Sequence, residues 1–257
     1  MNVETHAAIG RAISRYLHLD SRLERRLVRG LKKPDLSARR RRRRFRVHHG
    51  IHPDSIMDVI WSARRAYLAG DFEGALEALG IALHYVQDKC VVEARRELRE
   101  IHNRVEREMA SLEIPVDAIR EGFEKAECSP LFVRAALYSI EPSANPAEAL
   151  RSACLYSAMI AGAVYNPSQP PREVLEKMLE RFKREKAKRK RIAWISAALL
   201  ATGDLALIFI QPLIFAIFAT LLLPFAVLVH ILPLLIAYSY RDDPQYEQLA
   251  WYGLVQR

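Results

Sequence analysis

The sequence predicts an all-α multi-helix bundle followed by a C-terminal transmembrane helical hairpin, and three observations carry that prediction. Before residue 190, apolar residues recur at spacings of three and four, the period of an amphipathic helix, and no alternating strand pattern competes. Helix start and stop signals fall between these stretches. From Ile192 to Tyr238 the only formally charged side chain is Asp204. At about 1.5 Å rise per residue that run is long enough for two crossings of a roughly 30 Å hydrocarbon core.

Met1 to Arg15 lacks a basic start followed by an apolar run, so it reads as a first helix rather than a secretory signal, with Ala7, Ile9, Ala12, Ile13 and Tyr16 on its inner face. A second helix is expected to end at Lys33-Pro34, where the proline ring removes a backbone donor. A basic loop follows, Arg39 to Arg44 with Arg46. Ile56, Val59, Ile60 and Ala63 mark a third helix, and Gly70-Asp71 separates it from a fourth carrying Leu76, Leu79, Leu83 and Val86. Asn145-Pro146-Ala147-Glu148 supplies an N-cap, a proline at the first helical position and an acid in the first turn. A helix from about Arg172 continues through the basic run Arg181 to Arg191, with Glu180–Arg184 and Glu185–Arg189 as supporting pairs one turn apart.

The hairpin turns at Gln211-Pro212, and Pro224 and Pro233 fall inside the second span. Asp204 would cost about 2.5–3.5 kcal/mol at the bilayer centre, which directs it toward the partner helix or the membrane boundary. The expected organisation is an all-α domain over 1–170, a basic juxtamembrane helix over 171–191, a transmembrane hairpin over 192–240 and a tail over 241–257. Positive charge just before the first span holds the large domain in the cytoplasm, and two spans return the tail to that side.

The 257 residues are 51% hydrophobic, enough for a real core, which excludes a disordered chain. Three widely spaced cysteines, Cys90, Cys128 and Cys154, exclude a disulfide framework and a thiolate zinc knuckle and fit a reducing compartment. The net charge of +9 comes mainly from the two basic runs, which suit phosphate, whether of lipid headgroups or of nucleic acid.

The histidines point to chemistry. Seven of eight lie before residue 103, and two stand four residues ahead of a carboxylate: His84 with Asp88, and His102 with Glu106. On a helix that spacing puts both side chains on one face, where they can grip one cation. With His6, Asp35, His48 and His49 the chain holds enough nitrogen and oxygen ligands for more than one metal ion. His18 and His230 read as ordinary core or surface residues.

Thr5-His6 with Ile9 and Ala12 at helical spacing, then Pro34-Asp35, a loop histidine at 48 or 49, Ala82-Leu83-His84-Tyr85 with Asp88, and His102-x-x-x-Glu106 form an ordered series. In residues, order and chain span it resembles the zinc-dependent phospholipase C family and its relatives, the zinc-dependent single-strand nucleases. The motifs run from about His6 to Glu106, and the helices to about Tyr165 complete the domain.

This resemblance implies an all-α bundle that holds two or three Zn2+ ions and hydrolyses phosphodiesters. Carried over motif by motif, Asp35, one of His48 and His49, His84 and Asp88 would hold one ion. Asp88 would bridge to a second ion held by His6, and His102 and Glu106 would hold a third. Paired ions activate water and clamp a phosphoryl oxygen, and Asp35 or Glu106 would be the catalytic proton acceptor. Where the family has a further histidine six residues after the central aspartate, this chain has Ala94, so Glu93 or His52 would have to substitute. Secreted members also ligate zinc with a processed N-terminal amine, a role open here to the amino group of Met1.

Membrane phospholipid is the expected substrate, because the hairpin tethers the domain to lipid and Arg39 to Arg46, between Asp35 and His48, can draw anionic headgroups at about 1 kcal/mol per residue near an acidic surface. Nucleic acid is the second expectation within the same chemistry. A non-catalytic membrane protein with a structural metal is the alternative from another class.

Overall fold

The computed structural model describes residues 1–40, 52–93, 98–165, 170–210 and 243–256. Ten helices follow one another among them: α1 (Val3–Tyr16), α2 (Ser21–Arg40), α3 (Pro53–Leu68), α4 (Phe72–Lys89), α5 (Arg99–Met109), α6 (Val116–Lys125), α7 (Pro130–Tyr138), α8 (Pro146–Tyr165), α9 (Arg172–Ile210) and α10 (Pro244–Trp251). No strand occurs among the described residues, and Val91 and Ser143 form an isolated bridge. The protein is all-α, as the periodicity predicts. It divides into two compact units, Met1–Gln169 with Trp251–Gly253, and Pro170–Ala250 with Leu254–Arg257.

Local signals set the helix starts in the first unit. The Asn2 side chain accepts from the Glu4 amide at 3.1 Å, Asp71 from the Gly74 amide at 2.9 Å, and Asn145 from the Ala147 amide at 3.0 Å. Gly70, with φ of 78°, makes the left-handed turn that separates α3 from α4. His52 caps α3 and is exposed, with its Nδ1 3.2 Å from an oxygen of Asp54.

The second helix departs from the sequence expectation. It does not stop at Lys33-Pro34 but runs through the proline to Arg40. A proline inside a helix costs about 3 kcal/mol or more, so packing must outweigh the local signal. Leu27 and Leu31 are fully buried, and Lys33 reaches Glu77 of α4 at 2.7 Å. Gly30 and Gly80 let the two backbones touch: a Cβ on Gly30 would land on the Glu77 carbonyl, and one on Gly80 on the Leu27 carbonyl. This contact positions the candidate site residues, because Leu31 and Asp35 lie just beyond Gly30, and His84 lies one turn beyond Gly80.

The first unit also buries Arg64, with no exposed surface. Its Nε donates to the Trp251 carbonyl at 2.8 Å, one Nη to the Val164 carbonyl at 2.6 Å and the other to the Cys128 sulfur at 3.4 Å. The guanidinium carbon lies 5.3 and 5.4 Å from the ring centroids of Tyr67 and Trp251, and Trp61 meets Trp251 edge-on at 4.8 Å. Burying a cation without a carboxylate is expensive, and carbonyl dipoles with aromatic faces are what solvate it here.

In the second unit, α9 continues unbroken past Arg191, and Phe182 and Leu249 form a small core with Met178, Leu179 and Tyr246. Glu180 pairs with Arg184 at 3.3 Å as expected. Arg189, expected to pair with Glu185, instead meets Asp243 at 2.9 Å, an acid that sequence spacing on one helix could not bring into view. Ile192, Trp194, Ile195 and Leu199 are each at least half exposed along α9. No helix among the described residues is long and apolar enough to cross a membrane. The Gln211-Pro212 turn and the second expected span lie outside the described residues, as do His48, His49, Arg41 to Arg46 and Ala94.

Candidate metal centre

Four helices deliver the site. His6 comes from the first turn of α1, Asp35 from α2 beyond Pro34, His84 and Asp88 from the last turns of α4, and His102 and Glu106 from α5. Histidines 6 and 84 have no exposed surface, and Asp88 is 4% exposed. His6 Nε2 lies 3.2 Å from Asp88 Oδ1, and His84 Nε2 lies 3.3 Å from Asp88 Oδ2. One ligand atom from each of the three residues falls within 4.8 Å of the others. With bonds of about 2.0–2.1 Å, ligands at the corners of a tetrahedron sit about 3.3 Å apart, a spacing that each histidine matches to its own oxygen of Asp88.

The far side of each ring fixes its tautomer. His6 Nδ1 is 2.6 Å from Gln87 Oε1, His84 Nδ1 is 2.9 Å from the Leu31 carbonyl, and His102 Nδ1 is 2.7 Å from the Val92 carbonyl. These oxygens can only accept, so each Nδ1 carries the proton and, in the neutral ring, each Nε2 carries the lone pair. Among the described residues, the Nε2 atoms of His6 and His84 are buried without a hydrogen-bond partner. His102 Nε2 instead faces Glu106 Oε1 at 2.9 Å. Imidazoles held from behind by an oxygen, with their basic nitrogens aimed at shared carboxylates, have the arrangement that metal-ligating histidines use.

Local structure explains these outer contacts. Gln87 donates its amide nitrogen to Ser157 of α8 at 3.1 Å, which turns its oxygen toward His6. Val92 is held by Ser143, whose carbonyl accepts from the Val92 amide at 3.2 Å and whose amide donates to Cys90 at 2.9 Å. The Leu31 carbonyl reaches His84 because Gly30 and Gly80 bring α2 and α4 into contact.

The amino group of Met1 completes the cluster, 2.7 Å from Asp88 Oδ1 and 2.5 Å from Glu106 Oε1. Burial opposes its charge, but Asp88 and Glu106 outweigh burial and raise its pKa. Asp88 is likewise opposed by burial, yet the Met1 ammonium and the two imidazoles hold its carboxyl well below the usual range. Glu106 falls to about 2, burial being overcome by His102 and the Met1 amine. Burial lowers the pKa of His6, which favours the neutral ring a metal requires. His102 is raised, chiefly by its bond to Glu106.

A cavity of about 820 Å³ adjoins the cluster, lined by Met1, Asp35 and Glu106 together with Asn103 and Arg107 of α5. Asp35 Oδ1 lies 3.8 Å from His84 Nε2, outside the compact trio. His6, His84 and Asp88 thus form the compact set, His102 and Glu106 a second pair joined to it through the Met1 amine, and Asp35 the cavity wall. Sequence reading missed Gln87 and Ser157. The available signal was a glutamine on the buried face of α4, where an amide needs a partner.

No family model, no curated protein and no solved structure matches the chain.

Proposed function

We propose that this protein is a membrane-anchored, zinc-dependent phosphodiester hydrolase resembling phospholipase C, with its helical domain on the cytoplasmic side. The observation that carries the reading is the trio His6, His84 and Asp88, its histidines held at Nδ1 by oxygens and converging through Nε2 on one carboxylate. His6, His84 and Asp88 would hold one or two ions, and His102, Glu106 and the Met1 amine would hold a further one. Zinc bound there supplies Lewis acidity toward a phosphoryl oxygen and lowers the pKa of water.

The chain's own groups have separate tasks. Gln87 and Leu31 keep the imidazoles in the ligating tautomer. Asp35, partly exposed on the cavity wall, can take a proton from water entering that cavity, and Glu106 is the second candidate for this role. The cavity beside the cluster, lined by Met1, Asp35 and Glu106, favours catalysis over a purely structural metal, since structural sites are closed by four protein ligands.

Two features support phospholipid over nucleic acid as the substrate. One is the apolar run of 192–238 with the basic residues before it. The other is that Trp251–Gly253 pack within the first unit, so a chain that leaves at Pro170 comes back to the domain it left, as a hairpin requires. The reading is tested by loading the purified full chain with zinc and assaying phosphatidyl lipids, dinucleotides and single-stranded DNA, with and without a chelator. Chelator-sensitive hydrolysis of lipid is expected. Hydrolysis of nucleic acid alone assigns the chain to nuclease chemistry, and bound zinc without hydrolysis of either assigns the metal a structural role.

A further inference from the structure

We propose that Arg107 is the phosphate-holding residue of the cavity, its guanidinium gripping non-bridging oxygens of the phosphoryl group presented to the metal centre. This deepens the phosphodiesterase reading and rests on it. Asn103 and Arg107 each follow a candidate ligand by one residue, His102 and Glu106, so α5 turns one edge to the metal cluster and the adjoining edge to the cavity.

Arg107 differs from Arg104 on the same helix. Arg104 has a carboxylate partner, Glu108, at 3.9 Å. Arg107 lines the cavity, and no carboxylate among the described residues pairs with it. Its Nε donates to the Asn103 carbonyl at 3.2 Å, which steadies the head of the side chain and leaves both Nη groups to face an anion. The other ionisable groups on this wall are the Met1 ammonium, already paired with Asp88 and Glu106, and the acids Asp35 and Glu106, which repel an anion until further cations bind. A planar guanidinium matches the paired oxygens of phosphate, and bidentate charge-assisted bonds to it are among the stronger polar contacts. The ligand class is therefore a phosphoryl group, which a lipid headgroup and a nucleotide both carry.

The test uses the full chain in non-ionic detergent, with zinc content measured on every sample and inorganic phosphate titrated by calorimetry. Arg107 is exposed, so its substitution leaves the core intact. Arg107→Gln should keep the zinc and weaken phosphate binding about tenfold or more, and Arg107→Lys, which retains charge without the fork, should fall between. Arg104→Gln, removing a charge from the same helix, should change little. Equal phosphate affinity in wild type and Arg107→Gln, or an equal loss in Arg104→Gln, overturns the proposal. A wild-type chain that takes no zinc yet binds phosphate through Arg107 would sustain it while ending the hydrolase reading, and a chain that binds neither ends both. The source of the phosphoryl group is separated by KM on a short-chain phosphatidyl substrate and on a dinucleotide. The substrate whose KM rises in Arg107→Gln is the one this residue holds, and no rise on either overturns the assignment.

Discussion

Gln87 shows how one side chain turns a buried histidine into a potential ligand. It connects Ser157 to His6 Nδ1, and without its oxygen the His6 ring could place its proton on Nε2, the atom aimed at Asp88. Gln87→Leu should therefore weaken zinc binding by about 10–100-fold, the usual consequence of removing an outer-shell partner, while leaving the helices intact. Competition with a chelating dye measures the affinity and circular dichroism the fold. Glu106 gives a pH signature. Its folded pKa of about 2 lies below the ordinary 4.5, so its ionised form stabilises the metal-free fold above pH 4.5, and that contribution is lost as pH falls toward 2. Asp88 shifts in the same direction. Urea midpoints of the zinc-free protein should drop across that window, and Glu106→Gln should flatten the drop.

The helices hold the site through the glycine contact between α2 and α4. Gly80→Ala or Gly30→Ala puts a methyl group onto a backbone carbonyl of the other helix, so the helices must separate. We expect a loss of about 1–3 kcal/mol in thermal or urea unfolding, the range for overpacking, together with weaker zinc binding as the Leu31 carbonyl leaves His84. Local signals made most helices legible in the sequence: the Gly70-Asp71 break, the cap at Asn145, and the three-four periodicity of α1, α3 and α4. Pro34 was misread because a local breaker signal says nothing of the partner helix, which holds α2 together beyond it. The same limit hid the Arg189–Asp243 pair. For the site, the His84–Asp88 and His102–Glu106 spacings were legible because a single helix carries each. The Met1 amine and Gln87 join it through contacts between residues 87 and 81 positions apart, which no local window contains.

Trp251 and Arg64 bind the chain's end to its beginning. The buried guanidinium spends one bond on the Trp251 carbonyl and stacks on the indole. If residues 192–240 cross a membrane, Trp251 must lie on the same side as the first unit, which permits an even number of crossings. Cysteines introduced at Ser111 and Gln256, both exposed, should label from the same face of sealed vesicles, against a quiet background because the native cysteines are buried. Labelling from opposite faces would contradict the topology.

Zinc stoichiometry in the wild type and in Asp88→Asn tests the candidate metal centre most directly, because Asp88 is, among the described residues, the carboxylate that meets both His6 and His84. Elemental analysis of the purified full chain should find about two or more zinc ions per wild-type molecule and a loss of most of them in Asp88→Asn, with a loosened domain as buried ligands lose their counter-ion. A wild-type chain that stays folded and zinc-free in excess zinc, or unchanged zinc in Asp88→Asn, would contradict it.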